Sequence, residues 1–227
     1  MTLPELHERL LSWASADPHD PLLLAARKAH FDRYGEPHEE DLSFERRMNG
    51  MLDFYLFDFR PDPAGPTALE RFLEAHGGAL QAAEADAFRA LGANRHGLFE
   101  VRKLKPGLVR LRDVFEGEDV DVTERRQVAG LEKGDLLEAR LMPYDGQLFF
   151  SGAFLYQPRE ARSKILAEVK KRKKAAAKGL AELDVPGLLA TLSRMAFKLE
   201  RYRNVRLESI YDFTVDSRAM TPRPART

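Results

Sequence analysis

The stretch His96-Gly97-Leu98-Phe99-Glu100-Val101-Arg102-Lys103-Leu104-Lys105-Pro106-Gly107-Leu108-Val109-Arg110-Leu111-Arg112 decides the fold. Here a helical spacing of apolar residues gives way to short runs in which apolar and charged side chains alternate. Val120-Asp121-Val122-Thr123 alternates again, and Leu136-Leu137-Glu138-Ala139-Arg140-Leu141 and Leu148 to Tyr156 complete the set. Turn-forming residues separate the runs: Lys105-Pro106-Gly107, Phe115-Glu116-Gly117-Glu118 and Tyr144-Asp145-Gly146-Gln147, with Asp-Gly the strongest hairpin signal. Five short strands over about sixty residues predict a small five-stranded β-barrel, SH3-like or OB-like, over residues 95–157.

Upstream of it, residues 1–94 read as a helical domain. Thr2 and Glu5 have the spacing of a capping box before a stripe of Leu6, Leu10 and Trp13. Asp20-Pro21 starts a second helix that Gly35 ends, and a third runs within 39–58. Three prolines and a glycine make 60–66 a loop. Helices at 67–76 and 80–91 follow, with Gly77-Gly78 and Gly92 expected as left-handed caps. Downstream, 158–205 reads as a basic helix and then an amphipathic one started by Asp184-Val185-Pro186. Residues 206–227 are expected to form a partly disordered tail, frayed from Arg218 onward. The predicted class is therefore α+β.

Composition narrows the chemistry. The chain has no cysteine, so disulfides, thiolate metal sites and cysteine nucleophiles are excluded. Its 36 basic and 36 acidic residues balance, so attraction to nucleic acid or to an anionic surface must come from a local patch. The apolar runs are too short to span a bilayer and the N-terminus has no signal-peptide pattern, so no membrane contact and a cytoplasmic location are expected.

The local patch lies at 159–178, where nine basic residues face two acidic ones. Lys164, Lys170, Lys171, Arg172, Lys173 and Lys174, together with Phe149 and Phe150 on the last strand, make up the candidate nucleic-acid site, because an OB-like barrel stacks bases on aromatics. Strand alternation lets only one of those two phenylalanines face the core. On the final helix, Leu188, Leu192, Met195, Leu199 and Tyr202 line one apolar face that needs a partner, and they are the candidate protein-docking residues. No catalytic residue is assigned. His30, Asp32, His38, Glu39 and Glu40 are close in sequence but do not match a ligand spacing, so no metal or cofactor is expected. Asp53 and Asp58 flank the aromatic run Phe54-Tyr55-Leu56-Phe57 and read as part of a core helix. His96 is without a motif.

Phe54 to Phe59, Thr67 to Leu73, Leu111 to Glu118 and Gly134 to Leu141 resemble a group of bacterial proteins built from a helical half and a short β module, over about residues 45–157. Some members end in the cysteine-rich SEC-C motif, which this chain lacks. The resemblance implies a fold and no catalytic residue. Taken together, the sequence points to a non-enzymatic binding or adaptor protein that contacts another protein. Nucleic-acid binding is the alternative, and a metal-dependent enzyme through His30 and His38 a further one. The oligomeric state is left open.

Overall fold

Helix starts follow the capping residues. Thr67 Oγ1 accepts from Glu70 N at 3.3 Å while Glu70 Oε2 accepts from Thr67 N at 2.7 Å, and Asp20 Oδ1 accepts from Leu22 N at 2.6 Å. The computed structural model describes residues 1–124, 130–202 and 204–215. Among these it is a mixed α and β molecule of eight helices and five strands. The helices α1 (Leu3–Ala14), α2 (Pro21–Tyr34), α3 (Phe44–Phe57), α4 (Ala68–His76) and α5 (Ala82–Leu91) precede the strands. These are β1 (Arg95–Lys105), β2 (Leu108–Asp113), β3 (Asp119–Thr123), β4 (Leu136–Tyr144) and β5 (Gln147–Tyr156). After them come α6 (Arg162–Ala177), α7 (Val185–Arg201) and the short α8 (Leu207–Ile210).

The strands pair in the order β1-β2-β3-β5-β4, and β4 returns to β1, so the sheet closes on itself. All contacts are antiparallel except β3 with β5. The β4–β5 hairpin turns on Asp145 and Gly146, with φ of 49° and 70°, the backbone that an Asp-Gly pair tolerates. Alternation then sorts the side chains. Phe99, Val101, Val109, Leu111, Val122, Leu137, Ala139 and Leu141 fill the inside of the closed sheet.

β4 is buried on both faces. Its outward residues are Leu136, Glu138, Arg140 and Met142, all at most 5 % exposed. Leu136 packs under α6, α7 and α8 with Leu98, Ile165, Leu188 and Leu192, whereas Met142 belongs to the cluster of α1, α3, α4 and α5 with Leu6, Leu10, Tyr55, Phe72 and Phe88. Glu138 and Arg140 lie between the two clusters. The outer face of one strand therefore joins two helical layers, with a charged pair at the seam.

α7 closes the arrangement because it is used on two sides. Leu188, Leu192 and Met195 are at most 2 % exposed against the sheet and α6, with Leu199 packed at the edge and Tyr202 half-buried at the helix end. On another side Arg194 Nε donates to Arg33 O at 2.5 Å and its Nη2 to Asp32 O, so a cation meets the carbonyl end of α2. Phe197 lies between two guanidinium groups, with Arg47 4.0 Å and Arg201 3.9 Å from its ring centre.

Two expectations are corrected, and the first part of the expected tail is ordered. The apolar stripe of Leu188, Leu192, Met195, Leu199 and Tyr202 does not wait for another protein, because the sheet and α6 of the same chain already cover most of it. Gly77 and Gly92 keep right-handed φ of −55° and −63°, since the chain continues into a further turn at each point. The tail is anchored at its start: Ile210 and Tyr211 are buried and Tyr211 Oη donates to Gln157 Oε1 at 2.8 Å. The stretch from Arg218 lies outside the described residues.

Leu188→Ala should cost about 2–5 kcal/mol, the penalty for emptying a buried leucine site, while Lys178→Ala on the exposed end of α6 should stay within about 0.5 kcal/mol. Urea unfolding midpoints check this. A Leu188→Ala cost as small as that of Lys178→Ala would mean that the stripe is free.

Candidate functional site

The seam at Glu138 and Arg140 opens into a partly enclosed cavity of about 40 Å³. α2 contributes His30 and Tyr34, α3 contributes Arg46, Arg47, Gly50, Asp53 and Phe54, and the sheet contributes His96, Glu138, Arg140, Ala153 and Leu155. Helical spacing explains the α3 set: Arg47, Gly50, Asp53 and Phe54 recur every three or four residues and share one face. The glycine brings α3 close to the strand, where a Cβ on Gly50 would meet Ala153 Cβ at 3.8 Å.

The cavity wall holds buried charges. Arg140 donates from Nη1 to Asp58 Oδ1 at 3.2 Å, from Nη2 to Asp58 Oδ2, and from Nη1 to Asn94 Oδ1. Its Nε stands 3.9 Å from Asp53 Oδ2, too far for a hydrogen bond. His7 Nε2 lies 2.9 Å from Asp53 Oδ1, and His96 Nε2 lies 3.1 Å from Glu138 Oε1. Arg47 is held by Ser43 Oγ at 2.7 Å and Ser193 Oγ at 3.1 Å, and Ser43 passes the connection to Glu200 at 2.6 Å.

Four buried atoms on this wall have no hydrogen-bond partner: His30 Nδ1, Asp53 Oδ2, Glu138 Oε2 and Arg140 Nε. Their residues are all at least nine-tenths buried. Buried polar groups are ordinarily satisfied, so four unpaired atoms on residues that line one cavity set this wall apart. Burial is also the main reason His30 is depressed to about 3, with the positive charges of His96, Arg47, Arg140 and Arg33 adding to it. The imidazole is therefore neutral at neutral pH. Burial likewise holds the Tyr34 phenol above its ordinary range.

The residues singled out from the sequence lie elsewhere. Phe150 packs with Phe154 and Tyr156 toward the inside of the closed sheet, while Phe149 lies on the opposite side of β5 with its ring 6.2 Å from Tyr144. On α6, Ile165 and Val169 are buried under α7, and part of the basic run is spent internally. Arg172 and Lys171 pair with Glu168 at 2.8 and 3.4 Å, and Lys173 donates to Phe115 O. Lys170 and Lys174 are exposed and Lys164 is half-buried. Phe150, Phe154 and Tyr156 thus pack toward the sheet interior, Phe149 lies beside Tyr144, and the lysines belong to α6. Nor do the five residues near His30 converge: His30 is buried, whereas Asp32, His38, Glu39 and Glu40 are exposed. Among the described residues, no group of three His, Cys, Asp or Glu is placed to hold a metal ion.

From the sequence, His30 is weighed only as a metal ligand with His38; Asp53 and Asp58 read only as part of a core helix and His96 as without a motif, and Glu138 and Arg140 are not singled out. Two signals were present. Asp53 is the one charge in the otherwise apolar second half of α3, residues 51–57, and Glu138 and Arg140 occupy the same strand face as Leu136 and Met142.

The fold and site define an α+β protein with a buried polar cavity between a closed sheet and its covering helices. The chain belongs to a family of unknown function, DUF7986, whose model matches residues 26–184. That span holds every cavity-lining residue except Ser193. No curated protein and no solved structure matches the chain. The kinship shown is thus with an uncharacterised family. Among the described residues no helix is long and apolar enough to cross a membrane.

His30 gives the site a pH signature. In the unfolded chain its imidazole has the ordinary value near 6.5, and in the fold about 3. Between these values the unfolded state binds the extra proton, so stability is highest above pH 6.5 and falls as pH drops toward 3. His30→Gln should flatten that slope by about 1.4 kcal/mol per pH unit, read from urea unfolding across the window. An unchanged slope would contradict the buried neutral imidazole.

Proposed function

We propose that this chain is a non-enzymatic binding protein whose binding site is the seam cavity, and that its closed sheet is an OB-like barrel. The strand order with one parallel β3–β5 contact supports OB-like over SH3-like. The observation that carries the binding role is the set of four unpaired buried atoms on one wall. Each is closed to a water-sized probe, so a polar ligand recovers their cost by drawing these side chains toward the cavity. The site holds histidine and carboxylates, but no nucleophilic side chain stands against an activating base there, which favours binding over covalent chemistry.

A protein partner remains the wider context for such a module, with the ligand as its signal. The nucleic-acid alternative rests on the exposed lysines of α6. The β2–β3 face on which OB domains hold strands speaks against it: Arg110 pairs with Asp121 at 2.7 Å and Arg112 with Asp119 at 3.4 Å, and no aromatic stands beside them.

A thermal-shift screen of the full chain tests the proposal, using small amides, amines, carboxylates and polyols, with a single-stranded oligonucleotide at low salt as a separate arm. At least one class of small polar molecule should raise Tm saturably, and Asp53→Asn should abolish the rise. If only the oligonucleotide shifts Tm, and neutralising Lys170 and Lys174 removes the shift, the nucleic-acid alternative replaces it.

A further inference from the structure

Away from the seam, we infer that the cleft between α6 and the outer face of β1 and β2 is a docking site for an acidic peptide segment that carries an apolar side chain. The cleft holds about 300 Å³ and shares no lining residue with the seam cavity, so what it binds is independent of what the seam binds.

Its two walls follow from the periods of the elements that make them. Leu166, Val169, Lys170 and Lys173 recur every three or four residues and share one face of α6. Opposite them, Glu100 and Arg112 are direct cross-strand neighbours in the β1–β2 ladder, and Val114 follows two residues on. Val169 is buried and Val114 and Leu166 are half-buried, whereas Arg112 and Lys170 are exposed. The apolar part of the lining therefore lies deeper than these two cations.

Charge sets the kind of partner. Arg112, Lys170 and Lys173 share the cleft with one carboxylate, and that carboxylate is already taken: Glu100 Oε1 accepts from Arg162 Nη2 and its Oε2 from Arg102 Nη1 at 3.3 Å. Lys173 donates to Phe115 O, a carbonyl with no net charge to cancel the ammonium. Among the described residues Arg112 reaches Asp119 through one contact at 3.4 Å, whereas its neighbour Arg110 holds Asp121 with two at 2.7 Å. The forked pair is the strong arrangement, so Arg112 keeps donors for another carboxylate. Counting the lining residues with the side chains bonded to them, five cations meet two carboxylates, in a chain whose overall charge is zero.

The uncharged part of the lining chooses among anions. A strand of nucleic acid would find no ring to stack on, since none of the described residues that line the cleft is aromatic. A purely charged ligand would leave Val114 and Leu166 uncovered. A segment with acidic side chains around an apolar one meets both surfaces. From Leu166 to Lys173 the helical wall runs about 10 Å, the length of about three residues of extended chain.

The experiment adds a capped pentapeptide, four glutamates around a central leucine, to the full 15N-labelled chain and reads amide shifts by NMR. Salt is held at about 150 mM, where exposed charges more than about 8 Å apart are largely screened. Signals of residues 112, 114, 166, 170 and 173 should move saturably, with a Kd on the order of 1 mM. Glycine in place of the central leucine should weaken binding at least about fivefold. Lys170→Glu should also weaken it at least about fivefold with the spectrum otherwise folded, while Lys178→Glu, the same charge change at the exposed end of α6, should alter it by less than about twofold. If the two lysine variants weaken the peptide alike, or the glycine peptide binds as well as the leucine one, only diffuse charge is at work and the docking site falls. It falls too if no signal at the cleft moves. If an oligothymidine of about ten nucleotides shifts the same signals at lower concentration than the peptide, the cleft belongs to nucleic acid and the acidic-peptide assignment is overturned.

Discussion

The constraint on which the structure depends is the burial of two charged residues, Glu138 and Arg140, on a strand covered on both faces. A guanidinium removed from water is tolerated only where opposite charge and hydrogen bonds replace the solvent. Asp58 and Asn94 do this for Arg140, and they come from the end of α3 and the residue just before β1. Placing Arg140 in that seam therefore fixes where α3 ends and where β1 begins. The apolar neighbours Leu136 and Met142, two residues to either side, give each helical layer its anchor on the same strand face.

From this follows the role of α7. A closed sheet presents an outer face all round, and the part not covered by α1 to α5 needs a second layer. α6 and α7 supply it, with α7 also reaching α2 and α3 through Arg194, Ser193 and Phe197. Gly35, with φ of 90°, lies against the Phe197 ring, where a Cβ would come within 3.3 Å. A helix that reads in sequence as an amphipathic face looking for a partner is instead the piece that locks the helical half to the sheet.

Periods and punctuation made the elements legible. Asp20-Pro21, Thr67 to Glu70 and Asp145-Gly146 act over two to four residues, and their structures follow from local chemistry alone. The buried site was opaque for the opposite reason. Asp58 and Arg140 are 82 positions apart and His7 and Asp53 are 46 apart, so nothing within a window of sequence brings them together. Alternation shows that Glu138 and Arg140 share a face with Leu136, but a strand half open to water has the same pattern as one covered twice. The basic run 159–178 was legible as charge. Its division into lysines that reach solvent and residues held by Glu168 and Phe115 needed the docked position of α6.

The central claim is that the seam is a place for another molecule and not a gap in packing. A crystal structure of the full chain at a resolution that shows ordered solvent tests it most directly. The account predicts density for a retained or soaked small polar molecule in the cavity, against the side chains of Asp53, Glu138 and Arg140. A collapsed seam, with Arg140 Nε bonded directly to Asp53 and Glu138 and no space between them, would contradict it.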